Sequence, residues 1–147
     1  MKIIKQEIEG RGTSRPAYWC FKEHYKELGK IKFVILYNAY YNKRIYMDGN
    51  DWHWTTVLVG DNIQLWLYGL AWGYDGTGPY YLFKTLQKLF PDITYKQMIK
   101  LEKVTEEPIV LENVKGKLTL KPYDNLVESL LEMAQTTIQW NRLGMYV

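Results

Sequence analysis

The apolar positions of this chain change period several times, and each change marks an element. Between Ser14 and Gly29, residues Tyr18, Phe21, Tyr25 and Leu28 recur at the spacing of one helical face. Pro16 suits the first helical position after Ser14 or Arg15, and Gly29 is placed to end the helix. The run IKFVILYNAYYN, residues 31–42, is β-branched and aromatic and predicts a buried strand, with a turn signal beyond it at Asp48-Gly49-Asn50. WHWTTVLV and NIQLWLY flank Gly60-Asp61, a glycine-first pair that suits a type II′ turn, and together predict a hairpin. In its second arm Ile63, Leu65 and Leu67 alternate with Asn62, Gln64, Trp66 and Tyr68, giving one aliphatic and one polar-aromatic face.

The period lengthens again at Leu82, Phe83, Leu86, Leu89 and Phe90, the stripe of a core-facing helix that Pro91 stops. ITYKQM then carries a capping box, Thr94 at the N-cap with Gln97 three residues on, and a staple from Ile93 to Met98. PIVLENVKGKLTLKP predicts a second hairpin turning near Lys115-Gly116. Asp124 is placed to cap a last helix with the stripe Leu126, Leu130, Met133, Thr137 and Trp140. No internal repeat or low-complexity linker interrupts these elements. Residues 1–147 therefore read as a single α+β domain, an antiparallel sheet built from hairpins with three to four helices packed on it.

Composition adds one anomaly and several exclusions. The chain holds 13 Tyr and 6 Trp, side chains that favour half-buried positions, interfaces and stacking sites. Net charge is +3, from 19 Lys and Arg against 16 Asp and Glu, which tolerates an anionic ligand. With no long basic run and few arginines, it falls short of a dedicated nucleic-acid binder. The single Cys20 excludes an intrachain disulfide and fits a reducing compartment. MKIIKQEIEG is too short and charged for a signal peptide, and no apolar run reaches membrane length, so a cytoplasmic location with no membrane partner is expected.

The densest punctuation lies in LAWGYDGTGPYYLFKTLQKLF, residues 70–90, where three glycines and a proline separate a strand from a helix. With Gly78 as N-cap and Pro79 as first helical residue, the first-turn amides carry partial positive charge and are left without helical acceptors. Glycines before them let a ligand approach the backbone, the recipe of a phosphate or carboxylate site. No acid occupies the first turn, and Lys84 and Lys88 come later on the polar side. Lys43 and Arg44, near a turn, could clamp a phosphate.

Established fingerprints fail here, however. Gly73 and Gly78 have P-loop spacing, but Pro79-Tyr80 stands where Lys-Ser/Thr is needed, and Tyr81 replaces the last glycine of a G-x-G-x-x-G. Asp75 would repel a phosphate, though it could cap the helix or accept a ribose hydroxyl. A structural turn and a ligand loop both remain open.

WGYDGTGPYYL resembles the W-G-Y-G-G-[ST]-G-P-x-x-L motif of a family of small proteins encoded largely by phages, prophages and other mobile elements. Trp72, Gly73, Tyr74, Gly76, Thr77, Gly78, Pro79 and Leu82 match, and Asp75 departs from a glycine. The resemblance covers about a dozen residues. It implies a phage or mobile-element origin and a role at the host boundary, where such proteins block defence by binding a defence protein or sequestering a nucleotide signal.

Catalytic chemistry is thinly supplied. Cys20 and His24 share a helical face at i, i+4, which allows a nucleophile pair or half a metal site, but only His53 remains as a further histidine. Asp51 and His53 share a strand face between tryptophans without a Ser or Cys partner. Neither pair makes an active site, and no catalytic residue, metal or cofactor is expected.

The reading that results is a non-enzymatic, homo-oligomeric binder of a phosphate-bearing small molecule, such as a nucleotide-derived defence signal. The Gly76-Thr77-Gly78 backbone would meet the phosphate, with Gly73 in the same ligand loop. Trp72 or Tyr74 would stack on a ring, and Lys84 and Arg44 would add charge. The alternative is a protein inhibitor or adaptor that presents its aromatics to a host protein while the glycine loop merely turns the chain.

Overall fold

The computed structural model describes residues 2–7, 14–36, 46–47, 52–101, 108–122, 124, 125 and 129, with backbone alone at 46–47 and 52–54. Its elements are β1 (Lys2–Lys5), α1 (Ser14–His24) running into a 3-10 turn (Tyr25–Glu27), β2 (Ile31–Leu36), β3 (Tyr46–Met47), β4 (Trp52–Gly60), β5 (Ile63–Tyr68), α2 (Thr77–Leu89), α3 (Tyr95–Ile99), β6 (Ile109–Val114) and β7 (Lys117–Lys121). The strands form one sheet in the order β1-β5-β4-β2-β6-β7, with β3 beside β4. The α+β class read from the sequence is the class of the structure.

Among the described residues every pairing is antiparallel except that of β1 with β5. Lys2–Lys5 lies parallel to Ile63–Trp66 and makes the sheet mixed, a pairing across sixty residues that no local pattern announces. Two parallel strands deliver the chain to the same end of the sheet. α1 comes after β1 and α2 after β5, and the two helices run side by side the same way. Arg15 meets Tyr81, Tyr18 meets Lys84, and Tyr25 meets Lys88, advancing together.

The helices cover one face of the sheet. Val34, Leu36, Leu58, Leu65 and Leu67 pack there against Ala17 and Phe21 of α1 and Leu82 and Leu86 of α2. Ser14, Ala17, Phe21 and then Leu28 are the buried stripe of the first helical segment. Tyr18 and Tyr25, expected on that stripe, are half-buried and lie towards α2. The helix begins at Ser14, so Pro16 is its third residue, and Gly29 ends the segment at φ 72°.

The other face of β5 is not open. All six of its residues are buried, and the polar groups of its polar-aromatic face are satisfied internally. Trp66 Nε1 donates to Gln64 Oε1 at 3.0 Å, Tyr68 OH donates to the Glu7 carbonyl at 2.6 Å, and the Tyr68 amide donates to Gln6 Oε1 at 3.0 Å.

Two hairpin turns differ in how far the sequence anticipates them. At Lys115-Gly116 both residues take positive φ, 53° and 87°, as a two-residue turn demands. The first hairpin turns at Asp61-Asn62 instead of Gly60-Asp61, because Gly60 still belongs to β4. A Cβ on Gly60 would stand 2.0 Å from the Leu28 carbonyl oxygen, so glycine there serves close packing and not the turn. Asp61 and Asn62 donate their amides to the carbonyls of Lys30 and Leu28, tying the hairpin to the end of the first helical segment. Residues 37–42, the Asp48-Gly49-Asn50 turn, Lys43 and Arg44, and the final stripe from Leu126 to Trp140 lie outside the described residues.

Candidate functional site

The glycine segment links β5 to α2. Helix α2 starts at Thr77, with Gly76 as N-cap, two residues earlier than the sequence predicts, and Pro79 falls within its first turn. Proline is tolerated there because first-turn amides have no helical acceptor. The inner stripe then runs Gly78, Leu82, Leu86 and Phe90, one residue per turn against the core. Thr85 is also buried, and its hydroxyl donates to the Tyr81 carbonyl at 2.8 Å.

Three contacts shape the loop. Gly73, at φ 83°, donates its amide to the Met98 carbonyl at 2.9 Å, which clips the loop to α3. The Gly76 amide donates to Tyr95 Oη at 3.1 Å, and Tyr95 donates its hydroxyl to the Asp75 carboxylate. That hydrogen bond, reinforced by burial, raises the Tyr95 phenol above its ordinary pKa. The capping box on α3 holds Tyr95 in place: Thr94 Oγ1 accepts from the Gln97 amide, and Gln97 Oε1 from the Thr94 amide at 2.8 Å.

The remaining glycines make room for neighbours. A Cβ on Gly76 would meet the Tyr74 ring at 2.8 Å, and one on Gly78 would meet Ala71 Cβ at 2.7 Å and Tyr74 Oη at 3.1 Å. Tyr74 therefore lies over the start of α2, with 48% of its surface exposed. Trp72 is 2% exposed within the core and offers no ring face to a ligand, which corrects its predicted stacking role. Among the described residues the amides of Thr77 and Gly78 find no acceptor, while Tyr80 donates to the Gly76 carbonyl at 3.1 Å.

Lys84 comes next along the helix, its Nζ 5.3 Å from the Tyr18 ring centre and 5.6 Å from that of Tyr80. Thus Gly73, Tyr74, Gly76, Thr77 and Gly78 gather at one end of α2, with Lys84 about two turns along it. Arg44 lies outside the described residues, so its predicted place beside them has no geometry.

Sequence reasoning missed the neighbouring face. α1 contributes Trp19, 57% exposed, with Lys22 Nζ 5.1 Å from its ring centre and 5.6 Å from that of Tyr18. Arg15 Nε donates to Tyr81 Oη at 3.3 Å, and Lys88 Nζ lies 5.6 Å from the Tyr25 ring. Tyr80 is 45% exposed and packs edge-on to Tyr95. Rings and cations thus alternate across two helices. The signal was present in the two helical repeats, but the parallel packing that joins them was not.

The thiol chemistry weighed from the sequence does not assemble. Burial, with Glu23 and Glu7 nearby, pushes the Cys20 thiol up to about 11, whereas a nucleophile needs the opposite shift. His24 is engaged elsewhere, its Nδ1 2.7 Å from Glu27 Oε2. The side chains of Asp51 and His53 lie outside what is described. Among the described residues no three His, Cys, Asp or Glu side chains cluster as metal ligands, and no helix is long and apolar enough to cross a membrane. No protein-family model, curated protein or solved structure matches this chain.

Proposed function

We propose that the chain is a non-enzymatic binding protein of phage or mobile-element type that captures a phosphate-bearing ligand at the start of α2. A nucleotide-derived defence signal in the host cytoplasm is the ligand class that the motif resemblance suggests, with a homo-oligomer as the working form. One observation carries the reading: the adjacent amides of Thr77 and Gly78 open a 13-residue helix without an acceptor among the described residues or an acid in its first turn. Tyr74 and Tyr80 flank them as exposed rings, and Lys84 adds charge. Asp75, whose charge opposes a phosphate, accepts the Tyr95 hydroxyl of α3.

A thermal-shift screen against cyclic dinucleotides, cyclic ADP-ribose variants, NAD and mononucleotides tests this. A ligand at 100 times its Kd stabilises by about 2.7 kcal/mol, a shift of several degrees for a chain of this size. Gly78 is a poor control because any side chain there strikes Ala71. Thr77→Pro is a better one: it deletes one amide donor at the first helical position, where proline is well tolerated. The expected result is a selective shift that Thr77→Pro abolishes without lowering the unliganded Tm. A shift unchanged in Thr77→Pro, or none with any compound, overturns the reading.

A second reading has its own support. The contacts of Gly73, Gly76 and Gly78 already account for those glycines structurally, and the rings of α1 and α2 form a surface suited to a host protein. Capture of one partner that is lost in Trp19→Ala and kept in Thr77→Pro would favour it.

A further inference from the structure

We infer that the paired outer faces of α1 and α2 are a docking track for single-stranded nucleic acid, a second surface that goes beyond the phosphate-ligand reading at the start of α2 and stands or falls apart from it. Four cations, Arg15, Lys22, Lys84 and Lys88, stand on these two helices against one acid, Glu23. None of the four is ion-paired with a carboxylate among the described residues. Aromatic partners hold them instead, at 5.1–5.6 Å for the lysines. A carboxylate would quench each charge, whereas a ring fixes its position and leaves the N–H groups and the charge available to an anion.

Geometry favours a strand over a mononucleotide. From Arg15 to Tyr25, where the 3-10 turn continues α1, the segment advances about 15 Å, beyond the reach of one phosphate group. Trp19 of α1 and Tyr80 of α2 are both exposed. Unpaired bases can stack on such rings, and every base has a face to offer, while the bases of a duplex are already stacked on one another. A net charge of +3 for the whole chain does not announce the track, because on α1 and α2 alone the cations are four against one acid.

The test is fluorescence anisotropy of the whole 147-residue chain with labelled oligo(dT). Matched arms use the same length as duplex, thymidine monophosphate, and a poly-glutamate peptide. Expected are binding of the single strand at least tenfold tighter than of the duplex or the peptide, and quenching of tryptophan emission that Trp19→Ala removes. Trp19→Ala should weaken binding at least fivefold, the lower end of what one base-stacking ring contributes. Lys88→Gln should weaken it severalfold, with the Tm unchanged in both variants.

Equal affinity for single strand and duplex would reduce the track to general charge attraction and overturn the proposal. Affinity for poly-glutamate matching that for oligo(dT) would overturn it in favour of an acidic protein partner. Thr77→Pro separates the two readings. If a nucleotide binds and is lost in that variant, while oligo(dT) binds no tighter than the monophosphate, the track fails and the helix-start site stands. If oligo(dT) binding survives Thr77→Pro while no nucleotide binds anywhere, the helix-start site fails and the track stands.

Discussion

Thr56 sits fully buried in β4, its neighbours across the sheet being Leu36 and Leu67, and its hydroxyl finds no partner among the described residues. An unsatisfied buried hydroxyl costs more than an apolar group of the same shape. Thr56→Val should therefore stabilise the chain by about 1 kcal/mol, read from urea unfolding; a destabilisation would mean the hydroxyl is satisfied in solution. The glycines of the loop diverge in the same way. Gly78→Ala drives a methyl into Ala71 and should cost about 1–3 kcal/mol, while Gly76→Ala displaces only the end of a flexible Tyr74 ring and should stay within about 0.5 kcal/mol.

Cys20 gives the stability a pH dependence with a definite sign. The folded chain holds its proton up to about 11 instead of 9.0, so this contribution is full below pH 9 and lost as pH rises towards 11. Over that window the wild-type Tm should fall more steeply than that of Cys20→Ala; parallel curves would refute it. None of these effects was legible in the sequence. A threonine in a strand looks like an ordinary strand residue until its neighbours across the sheet are known.

At the scale of elements, the sequence was most informative where the chemistry is local. The capping box of α3, the turn at Lys115-Gly116 and the apolar stripe of α2 stand as the residue spacing predicts, because each depends on groups within one or two turns. The failures are non-local. Gly60 is a glycine for the sake of the Leu28 carbonyl, and Trp72 is a core residue because the fold closes over it. α3 shows how a local signal acquires a distant consequence: its five residues clip the loop through Met98 and Tyr95. A helix so short depends on its cap. Thr94→Ala should cost about 1 kcal/mol and speed hydrogen exchange at the Gly73 amide about fivefold. Unchanged exchange at Gly73 would show that the loop holds itself.

For the molecule as a whole, the informative quantity is how charge is distributed, not its total. The lack of a long basic run and the few arginines argued against a dedicated nucleic-acid binder, and both describe the chain as a line of residues. The parallel pairing of β1 with β5 turns α1 and α2 the same way, and that alignment collects four cations on one side. The helical repeats were readable one at a time; their juxtaposition was decided by a four-residue strand near the start of the chain that carried no signal of its own. If the track works as inferred, binding to single strands must release counterions in proportion to the phosphates it neutralises. For four contacts the slope of log K against log salt should be about −3, and Lys88→Gln should make it shallower by about 0.7. A slope near zero would mean that the cations serve only their rings, because ring contacts alone displace no ions from a phosphate chain. A slope far steeper than −3 would mean that the track extends past these two helices.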